Sequence, residues 1–295
     1  MHNSAQILRA RLQERPVLVA PGVIDPLTAV LAVNAGFEAL YLTGAGIAYT
    51  RLGMADVGLT TMTEVTEVIA RIADKVDVPL IVDGDTGFGN AITVQRTIRF
   101  FERAGAAAIQ IEDQTFPKRC GHLRGKDVVP VEEMVGKIKA AVDARVNGLL
   151  VIGRTDAGAV EGFERAFERA ERYAEAGADI IFVEAPRTNE ELAAVPKALG
   201  GKRPLMANMV EGGRTPMTPV SELEAMGYDL VVFSAGVVRA MARIARSFYD
   251  TLKADGTSDA IRDQMYSFDE LAEIVGTTQL LEQGRKYDAA GGGGA

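Results

Sequence analysis

Short apolar segments that recur along the chain constrain its fold more than any other feature. Eight of them alternate with longer stretches in which apolar residues recur at helical spacing. Each segment is apolar at successive positions, as is typical of strands buried on both faces of a parallel sheet. The predicted strands cover residues 17–20, 39–42, 80–82, 108–111, 149–152, 180–183, 205–207 and 230–233.

A weak internal repeat supports this alternation. NAGFEALYL, RAGAAAIQI, EAGADIIFV and MGYDLVVF each combine the end of a helix, a glycine and a strand. The glycine suits the left-handed cap that ends a helix before the chain reverses. Eight strand–helix units over about 240 residues predict an α/β fold, a closed (β/α)8 TIM barrel. An open doubly wound sheet has less support, because no G-x-G-x-x-G follows the first strand.

Segments outside the eight units are predicted to be helical or disordered. Helices are predicted within residues 1–13, over 237–253 after the last strand, and over 268–283 beyond what the barrel needs. The last of these either packs on a neighbouring subunit or folds back on its own barrel. We predict one domain over residues 1–290 and a disordered tail of glycines and alanine over 291–295.

Charge and composition exclude several classes of partner. The net charge of −8 argues against nucleic acid, whose phosphates need a basic surface. No apolar run approaches the roughly 20 residues that cross a bilayer, so no membrane partner is expected. The single cysteine cannot form an intramolecular disulfide, so the expected location is the reducing cytoplasm.

Polar residues follow nearly every predicted strand. Catalytic groups of (β/α)8 barrels collect at the carboxyl ends of the strands, so this ring of residues predicts an active site. Its members, in chain order, are Thr43, Gly44 and Ala45, then Asp83, Asp85, Glu112, Asp113, Arg154, Asp156, Glu184, Asn208 and Ser234.

Three of these carboxylates suggest a metal site. Asp83 and Asp85 are two residues apart, so on extended backbone they point the same way, and Glu112 on the adjacent strand can converge with them. Oxygen ligands without nearby histidine favour Mg²⁺, or else Mn²⁺, over zinc. The alternative is that Asp83 and Asp85 cap a helix or pair with arginines.

Arg154 and a glycine-rich turn are candidates for binding an anionic substrate. Arg154 can hold a substrate carboxylate with two hydrogen bonds, or it can form a salt bridge with Glu184 or Asp156. The turn that begins at Thr43 offers unobstructed backbone N–H groups to an oxyanion.

Two long connections are expected to be lids or binding loops. Residues 44–61 include Asp56, and residues 113–130 carry several basic groups around the only cysteine. Basic neighbours stabilise a thiolate, so Cys120 is predicted to be catalytic rather than an inert buried residue. The basic and histidine side chains of this loop are Lys118, Arg119, His122, Arg124 and Lys126.

The motifs at the strand ends resemble the isocitrate lyase and phosphoenolpyruvate mutase superfamily over roughly residues 17–246. YLTGAG, VDGDTGFG, IEDQ, PKRCGH, GRTDA, VEAP and NMVEGGRTP carry this resemblance, in that order. It implies a Mg²⁺-dependent barrel that binds a 2-oxo acid, usually as a homotetramer of helix-swapped dimers. It also implies that Asp83 ligates the metal directly, while Asp56, Asp85 and Glu112 hold metal-bound waters.

Within the superfamily, a K-[KR]-C-G-H loop marks the carbon–carbon lyases, and the chain has KRCGH at residues 118–122. It is most similar to 2-methylisocitrate lyases and dimethylmalate lyases. The resemblance therefore implies cleavage of a 2-alkylmalate or 2-methylisocitrate, a small dicarboxylate or tricarboxylate, to a 2-oxo acid such as pyruvate and a carboxylate.

The catalytic roles implied by this resemblance fall to a few side chains. Cys120 is expected to donate a proton to the leaving carbanion, Arg154, His122 and Lys118 to supply positive charge, and Tyr41 or Glu112 to act as the base. The expected substrate-binding residues are Thr43, Gly44, Ala45, Asp83, Gly121, Arg154, Glu184, Asn208 and Ser234. Oxaloacetate decarboxylase and phosphonopyruvate- or phosphoenolpyruvate-type activities are the alternatives, and a non-catalytic barrel is the least favoured.

Overall fold

Eight parallel strands form a closed barrel in chain order, with β1 pairing with β8. A computed structural model describes residues 4–121 and 125–287. The predicted (β/α)8 barrel is confirmed, and each predicted strand is present. The strands are β1 Leu18–Val23, β2 Leu40–Leu42, β3 Leu80–Asp83, β4 Ala108–Glu112, β5 Leu150–Thr155, β6 Ile180–Val183, β7 Leu205–Asn208 and β8 Leu230–Phe233.

Several strands run further toward their carboxyl ends than the apolar segments predict. Asp83 pairs with Gln110, and Glu112 pairs with Arg154, as the last registered positions of their ladders. Backbone hydrogen bonding does not depend on side-chain polarity, so the ladder continues past the apolar run. Asp83, Glu112 and Arg154 are therefore held by sheet hydrogen bonds. Asp85 and Asp156, in contrast, lie in the connections that follow their strands.

Helices separate the strands, and glycines end several of them. Gly36, Gly105, Gly177 and Gly227 have φ of 91°, 109°, 107° and 109°, so the predicted left-handed caps are confirmed. The helices are α1 Ser4–Arg11, α2 Pro26–Asn34, α3 Gly44–Ile47, α4 Met62–Ala73, α5 Ala91–Ala104, α6 Val131–Ala144, α7 Phe163–Glu175, α8 Asn189–Leu199, α9 Val220–Met226, α10 Gly236–Asp255, α11 Phe268–Val275 and α12 Thr277–Arg285.

The apolar core forms two layers. One lies between the sheet and the surrounding helices, and the other fills the barrel interior. Leu8 and Leu12, from α1 and the residue after it, pack with the interior layer, which includes Leu18, Ile81 and Leu150 at the starts of strands. The amino-terminal end of the barrel is thus packed with apolar side chains, which leaves the carboxyl end for chemistry.

Two predicted segments are more detailed than expected. The predicted helical segment at 268–283 is present as two helices, because Gly276 adopts a left-handed φ of 79° and separates α11 from α12. The long connection at 44–61 contains regular structure, since α3 continues into a π-helix at Ala48–Leu52. The predicted helix at 237–253 is confirmed as α10. The predicted tail at 291–295 lies outside the described residues.

Contacts within the chain divide it into two units. One extends through Val238 and contains the barrel, and the other begins at Arg239 and contains most of α10, α11 and α12. No residue of α11 or α12 is buried within this chain. In the part of the chain that the structure describes, no helix is both long and apolar enough to cross a membrane. The single domain predicted over residues 1–290 stays a prediction.

Candidate active site

Three carboxylates, from the connection after β2 and from the end of β3, surround one site, and two of them contact the same ammonium group. We call Asp56, Asp83 and Asp85 the acidic cluster. Lys118, which is 3% exposed, makes an ion pair with Asp56 and lies 2.7 Å from Oδ1 of Asp85. The N–H groups of Gly44 and Asp85 point at Asp83, at 3.4 Å from Oδ2 and 3.2 Å from Oδ1. The cluster therefore holds more negative charge than its protein cation neutralises.

The acidic cluster converges for a different reason from the one that the sequence suggested. Asp85 is not on extended backbone, because its φ is 47°. Instead, Gly44 brings the two side chains together: a Cβ atom there would lie 3.1 Å from Asp83 Oδ2 and 3.2 Å from Asp85 Oδ1. A larger residue at this position would have to displace both carboxylates by a few tenths of an ångström. A left-handed φ at a residue other than glycine, as at Asp85, is a conformation often found at functional sites.

Burial makes ionisation of Asp85 and Glu112 costly. Burial raises the pKa of Asp85, the Lys118 ammonium lowers it, and the charges of Asp83 and Asp56 raise it again, to about 6. Burial also raises the pKa of Glu112 well above its usual range, although Arg154 opposes the rise. Both shifts indicate a shortage of positive charge, which a bound cation would relieve.

Tyr41 connects to the acidic cluster through a residue that sequence reasoning missed. Its hydroxyl donates to Gln110 Oε1 at 3.0 Å, and Gln110 Nε2 donates to Asp83 Oδ1 at 3.2 Å. Burial and then the charge of Asp83 raise the pKa of Tyr41 well above its usual range, which keeps the phenol protonated. The available signal was a glutamine inside the otherwise apolar segment of β4.

Arg154 is surrounded by carboxylates. Its Nε and Nη2 donate to the two oxygens of Asp156 at 2.8 and 3.1 Å, while Glu112 and Glu184 lie 3.3 and 3.6 Å away. Lys126 adds a second cation, 2.6 Å from Asp156 Oδ1. We call these five residues the arginine cluster. The salt bridges named as the alternative for Arg154 are thus present, and its role toward a substrate stays a prediction.

The two cations of the arginine cluster lower the pKa of Asp156. Burial alone would raise its pKa, but the charges of Arg154 and Lys126 outweigh burial and lower the pKa to about 2. Asp156 is therefore an anion throughout the physiological pH range.

The segment that carries Cys120 is held on both sides. Gln114 and Arg119 exchange two hydrogen bonds, Gln114 Nε2 to the Arg119 carbonyl at 2.8 Å and Arg119 N–H to Gln114 Oε1 at 2.9 Å. A Cβ atom on Gly121 would collide with the side chains of Glu184 and Arg154, so this glycine packs directly on the arginine cluster. Cys120 itself is half-buried. His122 lies outside the described residues.

The remaining predicted substrate-binding residues lie at two further positions on the barrel mouth. Ser234, after β8, donates its hydroxyl to Asn208 Oδ1 at the end of β7, at 3.0 Å. Thr43 caps α3 by accepting the Gly46 N–H at 3.4 Å, and Ala45 lies in the first turn of that helix. The N–H groups of Gly44 and Gly46 thus have protein acceptors, and substrate binding by this turn stays a prediction.

The donor set fits a hard cation that keeps part of its water shell. Among residues 4–121 and 125–287, no three acidic, histidine or cysteine side chains are arranged to ligate one metal ion directly. However, within these described ranges the buried Glu112 Oε1 has no hydrogen-bond partner, and Asp85 Oδ1 is contacted by the Lys118 ammonium at 2.7 Å. Mg²⁺ is commonly bound by one or two carboxylates with waters in its other positions, which suits such a site.

Comparison with known proteins gives one consistent family. The family model described as phosphoenolpyruvate phosphomutase matches residues 8–252. The chain is 43% identical to 2,3-dimethylmalate lyase of Eubacterium barkeri, covering 97% of this chain and 98% of that protein. It is 48% identical to 2-methylisocitrate lyase of Aeropyrum pernix, covering 92% and 86%.

Comparison with solved structures indicates the same family. A crystal structure of 2,3-dimethylmalate lyase superposes with a TM-score of 0.92 at 36% identity, covering 100% of this chain and 99% of that one. Oxaloacetate acetylhydrolase with the inhibitor 3,3-difluorooxalacetate gives 0.92 at 34%, covering 97% and 98%. Phosphonopyruvate hydrolase with oxalate and Mg²⁺ gives 0.86 at 32%, covering 96% and 99%. The chain belongs to the phosphoenolpyruvate mutase/isocitrate lyase superfamily.

Proposed function

We propose that the chain is a Mg²⁺-dependent carbon–carbon lyase that cleaves a 2-alkylmalate or 2-methylisocitrate to a 2-oxo acid and a carboxylate. One observation carries the proposal. In the sequence, Cys120 lies between Lys118, which contacts the acidic cluster, and Gly121, which packs on the arginine cluster. The short segment that carries the thiol therefore contacts both a candidate metal site and a candidate anion site.

The relatives support the same enzyme class. The chain covers nearly the whole of 2,3-dimethylmalate lyase and most of 2-methylisocitrate lyase, both named as lyases. The predicted class, carbon–carbon lyase, is confirmed at this level. The particular substrate remains part of the proposal, because fold and family are shared by enzymes with different substrates.

The metal would be held by the acidic cluster. Asp83 is the proposed direct ligand, and Asp56, Asp85 and Glu112 are proposed to hold metal-bound waters, with Mn²⁺ as a possible substitute for Mg²⁺. When bound, the metal supplies Lewis acidity to the 2-hydroxyl group and its neighbouring carboxylate. The pKa of Asp85, raised to about 6, supports the need for this cation.

The side chains would then move two protons. A base takes the hydroxyl proton, the adjacent C–C bond breaks, and its electron pair stays on the carbon next to the second carboxylate. Cys120 gives its thiol proton to that carbon. Glu112 is favoured over Tyr41 as the base, because Glu112 Oε1 has no hydrogen-bond partner among the residues that the structure describes, whereas the Tyr41 hydroxyl donates to Gln110.

Positive charge for the departing carboxylate is proposed to come from Arg154 and Lys118, together with His122. Arg154 is well placed because its guanidinium is fixed by Asp156 and packs 5.3 Å from the centre of the Phe182 ring. Asn208 and Ser234 are proposed to contribute hydrogen bonds to the substrate. A fixed cation needs little reorganisation as negative charge develops on the leaving fragment.

Cleavage of oxaloacetate is a second candidate, favoured by the likeness to oxaloacetate acetylhydrolase. The test is to incubate the protein and Mg²⁺ separately with 2-methylisocitrate, 2,3-dimethylmalate, isocitrate and oxaloacetate, and to quantify both products. We expect one of the first two to give equal amounts of 2-oxo acid and carboxylate with the highest kcat/KM. Turnover of oxaloacetate alone would replace the proposal with the second candidate, and no turnover of any would favour a non-catalytic barrel.

The proposed assembly is a homotetramer of helix-swapped dimers. It is supported by apolar side chains that this chain leaves exposed on α11 and α12, where Phe268 is 95%, Leu280 62% and Leu281 60% exposed. Light scattering after size-exclusion chromatography tests it, and a monomeric mass would contradict it. The proposed location is the cytoplasm, where a single cysteine stays reduced.

A further inference from the structure

Lys126 makes a buried contact back to the segment that carries Cys120. It lies five residues after Gly121 and is only 8% exposed. Its Nζ donates to the Gly121 carbonyl oxygen and lies 2.6 Å from Asp156 Oδ1. A buried ammonium is unfavourable unless it is paired and hydrogen-bonded, so these two contacts compensate for its removal from water.

Asp156 is a rigid partner for this lysine. Its backbone N–H donates to Asp113 Oδ1 at 2.8 Å, and its carboxylate also accepts from Arg154 Nε at 2.8 Å. Asp113 is in turn held by the hydroxyls of Thr155 and Tyr173, both at 2.7 Å. A carboxylate supported in this way fixes whatever it binds, as supporting shells do in other active sites.

The contact bears directly on Cys120, because Lys126 binds the carbonyl of the next residue. Gly121 packs against Arg154 and Glu184 with no room for a side chain. Loss of the Lys126 hydrogen bond would release one side of the Gly121 peptide and with it the position of the thiol. Lys126 has no proposed catalytic or substrate-binding role, so its burial and its two contacts indicate a structural one.

We propose that Lys126 and Asp156 are positioning residues, which tie the Gly121 carbonyl, one residue after Cys120, to the same carboxylate that orients Arg154. The proton donor and the cation for the leaving carboxylate are then placed relative to each other by a single anion. The catalytic consequence of this inference depends on the proposed lyase function, whereas its structural consequence does not.

The structural consequence is tested by the reactivity of the only cysteine. Wild type, Lys126→Met and Lys137→Met are treated with iodoacetamide from about pH 6 to about pH 10, and alkylation is followed by mass spectrometry. The limiting rate at high pH reports access to the thiolate rather than its pKa. Lys137 is the matched control, because it is also buried and donates to a backbone carbonyl, that of Thr86 at 3.3 Å.

We expect Lys126→Met to raise this limiting rate roughly tenfold, since local opening becomes easier, and Lys137→Met to leave it unchanged. On the cleaved substrate, kcat should fall about 100-fold while KM changes less than about threefold, because misplacement of a catalytic group affects the transition state. Lys126→Arg, which keeps the cation, should restore at least part of kcat. A purely structural role would lower the thermal stability without this split between kcat and KM.

The inference is overturned if Lys126→Met alkylates at the wild-type rate, or if Lys137→Met raises the rate equally. Should Lys126→Met fail to fold, Lys126→Gln replaces it: its side chain is shorter and uncharged, so it loses the ion pair with Asp156 that ties the Gly121 carbonyl in place, and alkylation is again expected to be faster. Alkylation needs no substrate, so it decides the inference even if none of the proposed substrates is cleaved. Failure of the proposed function and failure of this inference are thereby distinguished.

Discussion

Asp85 and Asp156 are the same type of side chain, but their pKa values are shifted in opposite directions. Each is a buried carboxylate, and each is paired with a lysine from the same connection, Lys118 for Asp85 and Lys126 for Asp156. Yet the pKa of Asp85 rises to about 6, while that of Asp156 falls to about 2. Burial acts in the same direction on both, so the difference comes from their other neighbours.

Those neighbours divide the barrel mouth into two regions. Asp85 has Asp83 and Asp56 beside it, whereas Asp156 has the guanidinium of Arg154. The acidic cluster is thus short of positive charge and suited to a metal ion, while Asp156 in the arginine cluster contacts two cations and is suited to holding groups in place. Identical residue types in one mouth acquire different tasks through charge balance alone.

The largest loss of activity is expected from replacing Asp83, the proposed direct metal ligand. Asp83→Asn should lower kcat/KM roughly 1000-fold or more, because the Lewis acid is lost. Calorimetric titration with Mg²⁺ should show no binding, and Asp156→Asn should still bind the metal. If Asp83→Asn bound Mg²⁺ with wild-type affinity, the acidic cluster would not be the metal site.

A matched pair of variants tests the balance of charge directly. Asp156→Asn leaves buried cations without their anion and should lower the free energy of unfolding by about 3–5 kcal/mol. Asp85→Asn should change it by less than about 1 kcal/mol without metal, because Lys118 keeps Asp56 and a repulsion is relieved. Urea denaturation near neutral pH in EDTA measures both. The reverse order of stabilities would contradict the comparison.

A smaller loss of activity is expected when a side chain is added at Gly121, which packs on the arginine cluster. Gly121→Ala forces a Cβ atom into Glu184 and Arg154, so the peptide must shift. We expect kcat to fall roughly 30-fold, with little change in Mg²⁺ affinity, because only the placement of Cys120 is altered. Steady-state kinetics with a parallel metal titration checks this. Full activity would show that the contact is not maintained during turnover.

The smallest expected effect is a dependence of Mg²⁺ affinity on pH, which arises from Asp85 in the acidic cluster. Protonated Asp85 is stable below about pH 6, so protons compete with Mg²⁺ there, and apparent affinity should fall by up to about tenfold per pH unit below that value. Asp156, whose pKa is lowered, contributes stability that is lost only as pH falls from about 4 toward 2. Calorimetry between about pH 5 and pH 8 should therefore show weaker binding in acid by a folded protein. Constant affinity over that range would contradict the raised pKa of Asp85.

Much of the fold follows from local patterns. Apolar segments located all eight strands, and Gly36, Gly105, Gly177 and Gly227 have the predicted backbone, because burial and chain reversal act within a few residues. The ring of polar residues at the strand ends follows from the barrel topology in the same way. The family was likewise predicted correctly.

Features that depend on neighbours distant in sequence were not predictable. Gln110 gave no sign that it joins Tyr41 to Asp83, and nothing in the loop distinguished the partners of Lys118 from those of Lys126. The left-handed backbone of Asp85 was missed because local spacing suggested extended chain. These contacts arise only when the strands close and bring separate loops together.

Cysteine-dependent cleavage tests the central claim most directly. The preferred substrate is incubated with wild type and Mg²⁺, with wild type in EDTA, and with Cys120→Ser in Mg²⁺, and release of the 2-oxo acid is followed. We predict rapid release only in the first case, with Cys120→Ser at least about 100-fold slower while Mg²⁺ and pyruvate still bind. Cleavage by Cys120→Ser at the wild-type rate would contradict the account.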